Sequence, residues 1–225
     1  EYDVVGNIVS VTRGEQATRY AYDILGCMVA VTAPDGTETA YTYDALGNLT
    51  GETDPLGNVT AFAYTAESLL EKVTYANGTT QSLTYDPAGN VTAETDAEGN
   101  TKEYQYDKVN RLTAVIDELG NKTSYKYDAL DNIAQVTDAL KHITRYTYDK
   151  NGNLLTETDA LGNRVRYAYT PEGWLESITK ADGTVLTFEY DKTGSLLTQL
   201  VGDGQTVESS YNETGRVTEV SSAEG

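Results

Sequence analysis

Most of the residues that carry enzyme chemistry are scarce in this chain. It has one cysteine, Cys27, so it holds no internal disulfide framework and no cysteine-ligated zinc cluster. A single histidine, His142, leaves almost no room for histidine acid–base catalysis or a polyhistidine metal site. Positive charge is also short: 16 Lys and Arg stand against 35 Asp and Glu, a formal net charge of -19 over 225 residues. That balance argues against nucleic acid or an anionic membrane as the main partner, since both select basic surfaces. No apolar run approaches the roughly 18 residues of a spanning helix, so membrane insertion is not expected. There are only 2 Phe, 1 Trp and 1 Met, yet 18 Tyr and 20 Gly. Tyrosine at that level is not general core filling, and its placement is the next question.

The tyrosines form a column. Tyr2, Tyr22, Tyr43, Tyr64, Tyr85, Tyr106, Tyr127, Tyr148, Tyr169, Tyr190 and Tyr211 are spaced by 20 residues once and by 21 thereafter. Two residues earlier stands a second aromatic column, from Tyr20 and Tyr41 to Phe188, with Leu83 and Ser209 as exceptions. Six residues after the first column the residue is apolar in every repeat, from Ile8 and Met28 to Val217. A fixed short period over the whole chain is the signature of a tandem array.

The turns are as regular. Asp follows the column tyrosine in eight of eleven repeats, and Gly stands three residues further on in eight, replaced by Ser68, Asn110 and Asp131 in the others. Asp-x-x-Gly reads as a type I turn closed by a left-handed residue, which Asn and Asp tolerate best after Gly. A second glycine column runs from Gly36 to Gly225, broken at Lys141. Pro87 and Pro171 take the second position of the first turn, and Pro34 and Pro55 that of the second. Proline presets the backbone angle required there. Each repeat is therefore two short strands and two tight turns, and the predicted fold is all-β: tandem 21-residue hairpins in a long antiparallel sheet.

Side chains two apart on a strand share a face, which places both aromatic columns together. The column tyrosine is expected opposite the invariant apolar residue. The earlier aromatic is expected opposite a small one (Ser10, Ala30, Gly51, Ala93, Ala114, Thr156, Ser177, Thr198). An odd period requires either a longer second turn, Asp54-Pro55-Leu56-Gly57 and its equivalents, or a bulge in one strand. The longer loop is the favoured expectation. The first repeat is one residue short, so its second turn, around Gly14, should differ.

Motifs such as Tyr41-Thr42-Tyr43-Asp44-Ala45-Leu46-Gly47-Asn48-Leu49, followed by Glu52-Thr53-Asp54-Pro55-Leu56-Gly57-Asn58, resemble the YD repeat. That is the signature of rearrangement-hotspot (RHS) proteins, bacterial wall-associated proteins, shell components of insecticidal toxin complexes, and teneurins. The resemblance covers essentially the whole of residues 1–225. It implies a hairpin strip that spirals into a hollow shell, in bacteria commonly enclosing a carboxy-terminal toxin. The family's self-cleaving core is not matched here, and Asp54-Pro55-Leu56-Gly57 is explained as turn chemistry. The chain opens inside a repeat and stops at a turn glycine, as expected of a piece of something larger. The resemblance thus implies a secreted or surface-displayed structural segment whose partners are flanking repeats and a cargo domain. The alternative is an adhesive module that binds carbohydrate or a protein receptor through its aromatic face or loops.

No catalytic, cofactor-binding or metal residue is assigned, no cofactor is expected, and an enzyme is the least supported class. Turn aspartates cap their own backbone, and ligand-dense calcium loops are absent. Glu52, Glu94 and Glu157 share a column but lie at least two repeats apart, so a solvated strand face explains them better than paired glycosidase carboxylates. Cys27, His142 and Trp174 each occupy the slot of the Asn that follows a turn glycine. Cys27 is incidental, His142 is a turn residue, and Trp174 marks an exposed contact. The tyrosine ladder is read as the sheet's own packing surface rather than a sugar-stacking row.

Two larger-scale expectations follow. Cut sheet edges carry unpaired backbone groups, so self-association through the end strands is expected. A longer period also shows: the repeat from Tyr43 to Ala63 matches that from Tyr148 to Ala168, 105 residues on, at 12 of 21 positions. Its immediate neighbour matches at fewer than half as many. Thr65 and Thr170, which replace Asp, share that longer spacing. Block duplication or five repeats per turn of a spiral would account for it.

Overall fold

A computed structural model describes residues 1–200, 206–212, 214 and 216–223. The turn glycines Gly204, Gly215 and Gly225 lie outside the described residues. Two compact units are present, Glu1–Gly120 and Asn121–Gly225. In the first, eleven strands run from Ser10–Arg13 to Leu112–Ile116; in the second, ten among the described residues run from Lys122–Tyr127 to Val217–Ala223. Among the described residues there is no helix. Within each unit consecutive strands pair antiparallel, as the alternation of β-branched and aromatic residues with turn signals predicts.

Both turns of a repeat have one geometry. In the first, the Asp44 amide donates to the Asn48 carbonyl at 3.0 Å and the Gly47 amide to the Asp44 carbonyl at 3.1 Å. In the second, Asp54 and Asn58 (2.9 Å) and Gly57 and Asp54 (2.9 Å) repeat the pattern. The left-handed position is real even where Gly is missing: Ser68, Asn110, Asp131 and Lys141 have φ of 62, 65, 66 and 71°. The short first repeat does differ. Arg13 pairs with Gln16 across a two-residue turn, with Gly14 at φ 63°.

The longer second loop is not what resolves the odd period. The two turns are alike, and the extra residue sits in a β-bulge that recurs in the first hairpin of each repeat. Tyr43 pairs with Leu49, as expected, but Thr42 pairs with Gly51, which leaves Thr50 over. Thr50 and Gly51 both face Thr42: the Thr42 and Thr50 hydroxyls are 3.1 Å apart, and a Cβ on Gly51 would lie 2.8 Å from Thr42 Oγ1.

That bulge also corrects the pairing of the earlier aromatics. Tyr41 lies opposite Glu52, Tyr20 opposite Val31 and Phe62 opposite Val73. The small residues Ala30, Gly51, Ala93 and Ala114 face the residue between the two aromatics. They are small because the bulge crowds that spot, not to make room for a ring. Ala114 is 2% exposed, and with Ser10 and Gly51 it makes up the buried set among the described residues. The column tyrosines from Tyr22 to Tyr211 are half-buried.

Candidate functional site

The aromatic face concentrates the repeat's phenols, and several of their hydroxyls are bound within the array. The Tyr43 hydroxyl donates to the Met28 carbonyl at 2.8 Å. The strand pairing between these two repeats runs from Thr32↔Glu38 to Ala30↔Ala40 and stops there, so the Met28 carbonyl lies beyond the ladder. A buried or half-buried carbonyl needs a donor, and the phenol supplies it. Tyr22 does the same for Ile8 (3.0 Å), Tyr85 for Leu70 (2.6 Å), Tyr148 for Ile133 (2.9 Å) and Tyr190 for Leu175 (2.9 Å). The hydroxyl therefore ties one repeat to the one before it. A signal for this was present in the sequence: the column is tyrosine without exception, whereas the earlier aromatic column admits Phe62 and Phe188.

The turn aspartates are likewise engaged. Asp44 Oδ1 accepts from the Leu46 and Asn48 amides, both at 2.9 Å, and Oδ2 from Asn48 Nδ2 at 2.9 Å. The Asn48 side chain holds the Asp44 carboxyl below the usual aspartate range, and equivalent bonds do so for Asp54, Asp86, Asp149 and Asp159. His142 takes the asparagine's place, with Nδ1 at 2.9 Å from Asp138 Oδ2, so it is a turn residue as expected. Cys27 is a half-buried free thiol whose amide donates to Asp23 Oδ1 at 2.9 Å. Among the described residues no group of three or more His, Cys, Asp or Glu converges on one point.

Where Thr replaces Asp, the next slot changes with it. Thr65 accepts from the Glu67 and Leu69 amides at 3.2 and 3.3 Å, and Thr170 from the Trp174 amide at 3.4 Å. A threonine has no second carboxylate oxygen for an asparagine to bind, and an apolar residue, Leu69 or Trp174, stands there instead. Each lies over the glycine of the first turn in the next repeat. A Cβ on Gly89 would be 3.8 Å from Leu69 Cδ1, and one on Gly194 would be 3.0 Å from the Trp174 ring. Trp174 also packs on Tyr190, with centroids 5.5 Å apart at 45°. It is half-buried by its own array, which corrects the expectation of an exposed contact.

The three glutamates are corrected too. The bulge places Glu52, Glu94 and Glu157 on the aromatic face rather than the opposite one: Tyr41 faces Glu52, Leu83 faces Glu94 and Tyr146 faces Glu157. They remain in separate repeats.

Strand pairs of fixed register, identical turns and a hydroxyl tie to the preceding repeat define a tandem-hairpin repeat protein. Eight overlapping segments, residues 2–38, 28–59, 43–80, 64–101, 85–120, 106–143, 127–164 and 148–185, match the RHS Repeat family, and the chain belongs to it. No match is found among curated proteins. Among solved structures, TcdB2-TccC3-TEV aligns with a TM-score of 0.76 at 20% identity, over 99% of this chain and 14% of that one. The Tc holotoxin pore of Photorhabdus luminescens aligns with a TM-score of 0.40 at 16% identity, over 93% of this chain and 16% of that one. The first likeness shows a common fold. The chain spans only 14% of the length of that structure.

Proposed function

We propose that this stretch is a non-catalytic structural segment of a secreted or surface-displayed RHS shell. Its partners in that role are the flanking repeats and a carboxy-terminal, toxin-like domain of the same polypeptide, which the shell encloses or presents. The observation that carries the reading is how the repeat uses its own polar groups. The carboxylates that recur bind turn amides, and the phenols that recur bind carbonyls of the preceding repeat.

The test uses the full-length protein. Protease is applied to it and to a variant lacking 105 residues, five whole repeats, so that register is kept. The downstream domain should resist cleavage in the parent and be degraded in the deletion. Equal protection in both would overturn the reading, and retention of the whole protein in the cytosol would overturn its secreted placement.

A further inference from the structure

The Glu157 carboxylate is half-buried on the aromatic face, and among the described residues none hydrogen-bonds or ion-pairs with it. Tyr146 lies directly opposite it on one side, and Val165 on the other, with Tyr167 two residues further along. A half-buried carboxylate with no hydrogen-bond or ion-pair partner gains from an arriving cation. The neighbouring phenols register that charge: burial and then Glu157 push the Tyr146 and Tyr167 hydroxyls above their ordinary pKa.

Another repeat of the same chain carries a lysine beside the equivalent frame. Glu94 occupies the equivalent position, and Lys102, opposite it, stands where Val165 stands beside Glu157. The Lys102 ammonium lies 5.5 Å from the centroid of the Tyr104 ring, and the Tyr104 hydroxyl donates to Glu94 Oε2 at 3.2 Å. There the ring contacts both groups, the ammonium through its face and the carboxylate through its hydroxyl. At Glu157 the carboxylate and the ring are kept, a second ring, Tyr146, replaces Leu83, and the lysine is missing.

We propose that Glu157, Tyr146 and Tyr167 form a receptor for a lysine or arginine side chain of a basic protein partner. The cation would lie over a tyrosine face and against the carboxylate, where cation–π attraction and a charge-assisted hydrogen bond act together. The net charge of -19 draws such a partner in from solution. A neutral sugar would stack on the rings but leave the carboxylate without its counter-charge. Glu52 repeats the arrangement 105 residues earlier, with Tyr41 opposite and Phe62 in the place of Tyr167. The inference does not depend on encapsulation, since it concerns what this face binds and not what the shell contains.

The probe is hexalysine, titrated into the whole chain while ring resonances of the tyrosines are followed, with maltohexaose as the neutral control. Hexalysine should shift Tyr146 and Tyr167 but leave Tyr104, whose lysine is built in. Glu157→Gln should weaken that response at least about five-fold, a loss well within the strength of a cation–π contact plus a charged hydrogen bond. Val165→Lys should abolish it by supplying the cation internally. Glu172→Gln, at an exposed turn, removes the same charge and should leave the response intact, which separates the site from general attraction to an acidic protein. A response indifferent to Glu157→Gln, or maltohexaose shifting the two rings where hexalysine does not, would overturn the proposal. Unchanged circular dichroism of Glu157→Gln keeps the comparison valid should Val165→Lys fail to fold.

Discussion

The hydroxyl of Tyr43 and the main-chain oxygen of Met28 lie 2.8 Å apart across two repeats, at the point where the strand ladder between them has ended. The bond explains why a ring alone does not suffice in that column. It also separates two tyrosines that look alike in sequence, Tyr41 and Tyr43.

Tyr43→Phe removes the donor and leaves the carbonyl without its protein partner, so it should cost about 0.5–1.5 kcal/mol. Tyr41→Phe, whose hydroxyl has no such partner, should change stability by less than about 0.5 kcal/mol. Urea unfolding of the two variants measures the contrast. Equal effects would show that the hydroxyl tie contributes nothing.

Stability should fall in acid. The Thr193 hydroxyl, then the Ser195 amide, lower the Asp191 carboxyl from 3.8 to about 2. A group depressed in the folded state stabilises it above its unfolded pKa, and that contribution is lost as pH drops through the folded value. The window for Asp191 is therefore from about pH 4 down to about pH 2, with Asp44, Asp54, Asp86, Asp149 and Asp159 lowered in the same direction. Asp191→Ala should be less stable than the parent at pH 7, with the gap narrowing towards pH 2. Denaturation midpoints across that range would show it, and a gap independent of pH would contradict it.

Gly162 and Gly194 share a φ of +88° but differ in surroundings: nothing lies near a Cβ on Gly162, whereas one on Gly194 would meet the Trp174 ring at 3.0 Å. Gly162→Ala should cost about 1–2 kcal/mol, for the left-handed backbone alone. Gly194→Ala should cost more and should shift the emission of Trp174, the chain's one tryptophan. Identical losses with unchanged fluorescence would mean that the ring does not rest on that turn.

How far the sequence could be read depended on whether a feature is local. Asp44-x-x-Gly47 specifies its turn within four residues, and even the exceptions Ser68 and Lys141 keep the backbone angle implied by the column they interrupt. The partnership of Tyr43 with Leu49 was legible as well, because only the turn separates them. The partner of Tyr41 was not. A loop one residue longer and a one-residue bulge satisfy the same odd period, and no residue type marks Thr50 as the extra one.

The 21-residue period, the all-β hairpins, the turn positions and the RHS family were thus determined by the sequence alone, since each rests on interactions spanning a few residues that recur in register. Only the tertiary structure decided which residue each strand leaves unpaired. Because side chains alternate faces, that single choice moved Glu52, Glu94 and Glu157 onto the aromatic face. It also left the Met28 carbonyl for Tyr43 to bind and placed Glu157 between two tyrosines. These contacts depend on how neighbouring repeats pack, and one repeat read by itself contains no term for them.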